Sequence, residues 1–110
     1  MIVMIEMPWE ALAAEPGKAY LKACIRDAIF REEIPISIPA LFHTTDALDP
    51  KDPDQKFELV KIRKQMVEEA TLVAFYIDHG WSNTMVRAET WVKLRKKRIS
   101  IRTLYEGGLV

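Results

Sequence analysis

Cysteine is almost missing from this chain. Cys24 stands alone among 110 residues, which excludes an intramolecular disulfide and fits a reducing cytoplasm. Glycine is scarce as well, at four, and no glycine-rich turn follows the first apolar run, so a pyrophosphate-cradling loop is excluded. The two histidines, His43 and His79, have no cysteines at ligand spacing, so neither a zinc site nor any other metal or cofactor is predicted. No apolar run approaches the roughly 18 residues of a membrane span. The opening Met1-Ile2-Val3-Met4-Ile5 lacks a basic stretch and soon meets Pro8, reading as a strand and not as a signal peptide. Net charge is absent too. Sixteen basic and sixteen acidic residues cancel, so no global field draws the chain to nucleic acid or to an anionic membrane.

What is present is an alternation of periods. Met1–Met7 reads as a first strand, and Glu10–Gly17 as a loop closed by Pro16-Gly17. From Lys18 to about Glu33, Leu21, Cys24, Ile25, Ala28 and Ile29 share one helical face, which makes Cys24 a core residue. Ile34–Pro39 is a short strand whose two prolines donate no ladder hydrogen bonds, so it belongs at a sheet edge. A long loop, Ala40–Asp54, leads to a second helix, Gln55 to about Glu69, capped by Asp54. Phe57, Leu59, Val60, Ile62, Met66 and Val67 give that helix a broad apolar stripe.

Thr71–Ile77 is a buried strand and Asn83 to about Lys97 a third helix, with Met85, Ala88, Val92 and Trp91 on its inner side. Ile99–Leu104 is the last strand, and Glu106–Val110 a frayed tail. The order β-α-β-α-β-α-β predicts a single α/β domain over residues 1–110. Its form is a small Rossmann-like or flavodoxin-like fold, about four mainly parallel strands flanked by three helices.

In such folds ligands bind where strand C-terminal ends meet helix N-termini. Three clusters fall there. Pro8-Trp9 follows the first strand, and an indole at the rim stacks on planar rings. Phe42-His43-Thr44 follows the second, and a rim histidine hydrogen-bonds ligands or moves protons. The third cluster, Asp78-His79-Gly80-Trp81-Ser82-Asn83 with Met85 behind it, gathers an acid, an indole, a hydroxyl and an amide. Glu89 lies inside the helix that follows, a plausible position for a nucleophile or base. The basic run Lys93, Arg95, Lys96, Lys97 and Arg98 complements the dipole of the third helix.

With these positions laid out, the chain resembles the nucleoside 2-deoxyribosyltransferase-like superfamily, in particular small members from phages and bacteria. The likeness rests on Pro8-Trp9, Glu33-Ile34-Pro35-Ile36 and Leu48-Asp49-Pro50-Lys51-Asp52-Pro53. It continues through Val73–Gly80, Ser82-Asn83-Thr84-Met85 and the final strand, covering nearly the whole chain.

The resemblance implies a nucleoside site and a Glu nucleophile on the third helix, which attacks the anomeric carbon through an oxocarbenium-like transition state. That nucleophile falls three residues after Met85, where this chain has Ala88; Glu89 comes one residue later. Thr84 and Met7 stand where the family favours glycine. The expectation is a protein that binds a nucleoside or nucleotide-like small molecule through Pro8, Trp9, His43, Asp78, Trp81, Ser82, Asn83, Met85 and Ala88, without transferase activity. Two alternatives stay open: an active deoxyribosyltransferase or nucleoside hydrolase using Glu89, and a phage-type sequestering or host-interaction protein. The apolar face of the second helix and Trp91 predict a homo-oligomer.

Overall fold

The computed structural model describes residues 1–9 and 14–104. Its elements in chain order are β1 (Ile2–Glu6), α1 (Ala14–Phe30), β2 (Ile34–Ile36), a π-helical turn (Pro39–His43) and α2 (Pro53–Glu69). β3 (Leu72–Tyr76), α3 (Asn83–Leu94) and β4 (Arg98–Arg102) follow. The strands form one parallel sheet in the order β2-β1-β3-β4.

Position in the sheet follows composition. β1 and β3 are the apolar runs, buried on both faces, and they occupy the centre, as parallel strands covered by helices on both sides require. β2 carries Pro35 and lies at one edge. β4 lies at the other, where the exposed Arg98 puts a charge on the edge that discourages pairing with another chain.

Side-chain alternation along the central strands divides the core in two. Val3, Ile5, Leu72, Ala74 and Tyr76 meet Tyr20, Leu21, Cys24 and Ala28 of α1 on one face. Met4, Val73 and Phe75 meet Leu59, Met66 and Val67 of α2 and Met85, Ala88 and Val92 of α3 on the other. Cys24 is fully buried, and burial pushes its thiol well above the ordinary range, so it packs as a small apolar group.

Several boundaries differ from the sequence expectation. The loop predicted for Glu10–Gly17 has already given way to helix at Ala14; Pro16 sits in the first turn, where no N–H partner is lost. Residues 10–13 lie outside the described residues, as does the tail predicted to fray, Glu106–Val110. The second strand stops at Ile36. The loop predicted from Ala40 instead opens with the π-helical turn, in which the Thr44 N–H reaches the Pro39 carbonyl at 3.0 Å.

Asp52, not Asp54, caps α2, accepting the Asp54 N–H at 2.9 Å. The third helix ends at Leu94, earlier than Lys97. Lys97 then serves a different helix: its Nζ donates to the carbonyls of Glu68 and Ala70, at the end of α2. Ile29 of the predicted α1 stripe is exposed, as are Phe57 and Val60 of the α2 stripe, because each helix meets the sheet along a narrower line than its apolar face.

Scarcity of glycine leaves a mark here. Glu32 and Lys96, just past the ends of α1 and α3, adopt φ of 63° and 57°, the left-handed position where helices usually place glycine. The Glu33 N–H returns to the Ala28 carbonyl and the Lys97 N–H to Val92, each at 3.1 Å, and these bonds close the two helix ends.

Candidate functional site

The chain leaves β1 toward one side of the sheet and β3 toward the other, which opens a crevice at their C-terminal ends. Pro8, fully buried, closes β1. Trp9 follows in a tight turn, its N–H donating to the Met7 carbonyl at 2.8 Å. Its indole lies nearly parallel to the His43 imidazole, 17° apart with centroids at 6.0 Å. The π-helical turn ending at His43 therefore brings two of the sequence-predicted residues together above the rim.

The segment after β3 divides its side chains between the two faces. Asp78 faces α1: its carboxylate accepts the Tyr20 O–H at 2.5 Å and the Leu104 N–H at 2.8 Å, tying the turn to α1 and to the end of β4. Burial, and then the hydrogen bond to Asp78, raises the Tyr20 phenol far above its usual range, so it remains a proton donor. His79 packs edge-on to Tyr20 at 4.6 Å. Gly80 takes φ of 84°, which lets the chain turn back. Trp81, 39% exposed, leans on Phe75 at 5.1 Å. Ser82 caps α3 by accepting the Met85 N–H at 3.2 Å, Asn83 is the exposed first residue of that helix, and Met85 is fully buried beneath it.

A cleft of about 380 Å³ lies between α2 and α3, reaching His43 and Pro50 above. Ala88 and His43 are the sequence-predicted residues that line it. From α2 it takes Lys56, Leu59, Val60, Arg63, Lys64 and Val67, and from α3 Thr84, Arg87, Ala88 and Trp91. These are i, i+3, i+4, i+7 stripes of two helices that face each other. Glu89 is not among the lining residues. It pairs with Lys93 one turn on, at 3.7 Å, as expected for a residue rotated about 100° from Ala88.

Two features escaped the sequence. Glu6 ends β1 as a buried carboxylate and accepts Arg63 Nη1 at 2.6 Å, anchoring that guanidinium at the cleft. The available signal was an acid closing an otherwise apolar strand. The second is the cationic wall itself. Lys56, Arg63 and Lys64 lie at i, i+7, i+8, so they share the face of Leu59 and Val67, a pattern visible once cations are counted on the inner stripe. Among the described residues no three His, Cys, Asp or Glu side chains gather as metal ligands, and no helix is long and apolar enough to cross a membrane.

A parallel sheet in this order, with its switch point between β1 and β3, defines a flavodoxin-like α/β protein. The chain belongs to the family described as Domain of unknown function (DUF7768), whose model matches residues 1–103. No curated protein matches its sequence. Among solved structures it is similar to the CMP N-glycosidase BcmB of Clostridium botulinum, with a TM-score of 0.56 and 15% identity. That similarity covers 94% of this chain and 71% of BcmB. At this identity the likeness shows a shared fold, in agreement with the fold that the sequence resemblance implies.

Proposed function

We propose that the cleft between α2 and α3 binds a nucleoside or nucleotide-type small molecule and that the chain does not transfer or hydrolyse its N-glycosidic bond. One observation carries the second half. Ala88 occupies the wall of the cleft where the superfamily resemblance puts a nucleophilic glutamate, while Glu89 pairs with Lys93 outside it. Glycosyl transfer of this type needs a carboxylate at the anomeric carbon, and among the described residues no carboxylate lines the cleft. A ligand ring would rest on Ile38, Leu59, Val67 and Ala88. His43, with Trp9 stacked near it, would border the open end beside Trp81, Ser82 and Asn83. The fold shared with an enzyme named for CMP supports the choice of ligand class.

The test incubates purified protein with the common deoxynucleosides and with CMP, and follows free base by chromatography. No base release, together with a ligand-induced rise in melting temperature, is the expected result. A ligand at a hundred times its dissociation constant adds about 2.7 kcal/mol, several degrees for a chain of this size. Base release that disappears in Glu89→Gln would overturn the reading and make the chain an N-glycosidic enzyme. Ala88→Glu with Glu89→Ala, which returns the carboxylate to the cleft wall, is expected to create weak hydrolysis.

A further inference from the structure

We propose that the ligand of this cleft carries a phosphomonoester, held by Arg63 and Arg87 with Lys56 and Lys64; this rests on the nucleoside or nucleotide reading above and narrows it to the phosphorylated form. The chain as a whole is neutral, yet the cleft is not. Among the described residues four cations line it and no acid does, although one of the four, Arg63, is paired with the buried Glu6 behind the wall. A local excess of one sign in a concave, partly apolar site focuses potential on an anion.

Surface cations elsewhere are used in more than one way. Lys18, Arg31, Lys61, Lys93 and Arg95 each have a carboxylate within ion-pair distance. Among the described residues Lys56, Lys64 and Arg87 have none, and neither have Lys22, Arg26, Lys51, Lys96, Lys97 and Arg98; what sets the first three apart is that they line one concavity together with Arg63. On α2 itself, Lys61 pairs with Glu58 away from the cleft, whereas the inner stripe holds cations and apolar residues alone.

Arg63 supplies the fixed element. Its Nη1 donates to the buried Glu6 carboxylate at 2.6 Å, which orients the guanidinium; the remaining N–H donors have no protein partner among the described residues. A guanidinium held on one edge and open on another suits bidentate recognition of a phosphate. Lys64 Nζ lies 5.0 Å from the centre of the Trp91 ring, on the opposite wall, so the aromatic holds a second cation beside the cleft. Below them the floor is Leu59, Val67 and Ala88, too apolar to hold an anion but suited to a ring. A cleft of about 380 Å³ lies within the range of pockets that hold ligands of mononucleotide size.

The experiment measures calorimetric binding of three probe sets to the full chain at low and moderate salt. These are the common nucleosides, their 5′-monophosphates, and inorganic pyrophosphate. At least one monophosphate is expected to bind ten-fold or more tightly than its nucleoside, and to weaken as salt rises. Arg87→Glu and Lys56→Glu, both at exposed positions, should each remove most of that advantage, read as the ratio of monophosphate to nucleoside affinity, and flatten its salt dependence. Lys22→Glu on α1 should do neither. Circular dichroism confirms that each variant is folded before it is titrated.

Equal affinity for nucleoside and monophosphate would overturn the phosphate inference and leave the ligand class standing. Pyrophosphate binding sensitive to Arg87→Glu, with no nucleoside or nucleotide bound, would retain the anion site and overturn the nucleotide reading. Absence of binding by all three sets would overturn both.

Discussion

Glu33→Ala is expected to be among the most damaging single changes in this protein although it lies far from the cleft. Glu33, just beyond α1, accepts Arg102 Nη2 at 2.6 Å and Nη1 at 2.7 Å. The two side chains are 9% and 5% exposed, so solvent screens the pair little. Arg102 also donates from Nη1 to the Tyr76 hydroxyl at 3.2 Å and from Nε to Ser100 Oγ at 3.0 Å, which joins α1, β3 and β4 on one face. Truncating Glu33 leaves a buried guanidinium charge without its counterion. Such a loss costs about 3–5 kcal/mol, a large part of the roughly 5–15 kcal/mol that holds a small domain folded. At about 4 °C per kcal/mol the melting temperature falls by roughly 12–20 °C.

The assay is urea unfolding followed by circular dichroism, read as a shift of midpoint at constant slope. Glu33→Leu combined with Arg102→Met removes both charges, and an apolar replacement of a whole buried pair is often near neutral, so this double variant should recover most of the loss. A single variant costing less than about 1 kcal/mol, or a double variant as unstable as the single one, would refute the account of a desolvated pair.

Three further outcomes follow from particular contacts. Ser82→Ala deletes the N-cap of α3 and should cost about 1 kcal/mol in the same unfolding assay; no loss would mean that the 3.2 Å bond to the Met85 N–H contributes nothing. Burial raises Cys24, Tyr20 and Tyr76 above their ordinary values, so the folded chain keeps protons that the unfolded chain releases from about pH 8.5 for the thiol and about pH 10 for the phenols. Their contribution is therefore complete below about pH 8.5 and declines as pH rises beyond it, and equal urea midpoints at pH 7 and pH 10.5 would contradict this. Phe57, 63% exposed, and Val60 leave apolar surface on α2, from which self-association through this helix is proposed; a monodisperse monomer at high concentration by light scattering would count against it.

The sequence by itself determined the alternation of strands and helices, because periods of two and 3.6 are local properties of side-chain placement. It also fixed the sheet positions of the distinctive strands: Pro35 drives β2 to an edge, and the unbroken apolar runs of β1 and β3 require cover on both faces. The register that places Ala88, not Glu89, on the inner face of α3 was equally legible, since Met85, Ala88 and Val92 repeat at helical spacing. Tertiary structure decided what those local signals could not. Asp78 and Trp9 are both rim residues in sequence; packing ties Asp78 to Tyr20 of α1 and seats Trp9 against the same α1-side core, with its ring stacked near His43. The contacts between Glu6 and Arg63 and between Glu33 and Arg102 join residues 57 and 69 positions apart, and no local pattern encodes such a pairing. The cleft has the same origin. Its cations belong to two helices that become neighbours only when β1 and β3 lie side by side, so a neutral sequence acquires a positive site through topology.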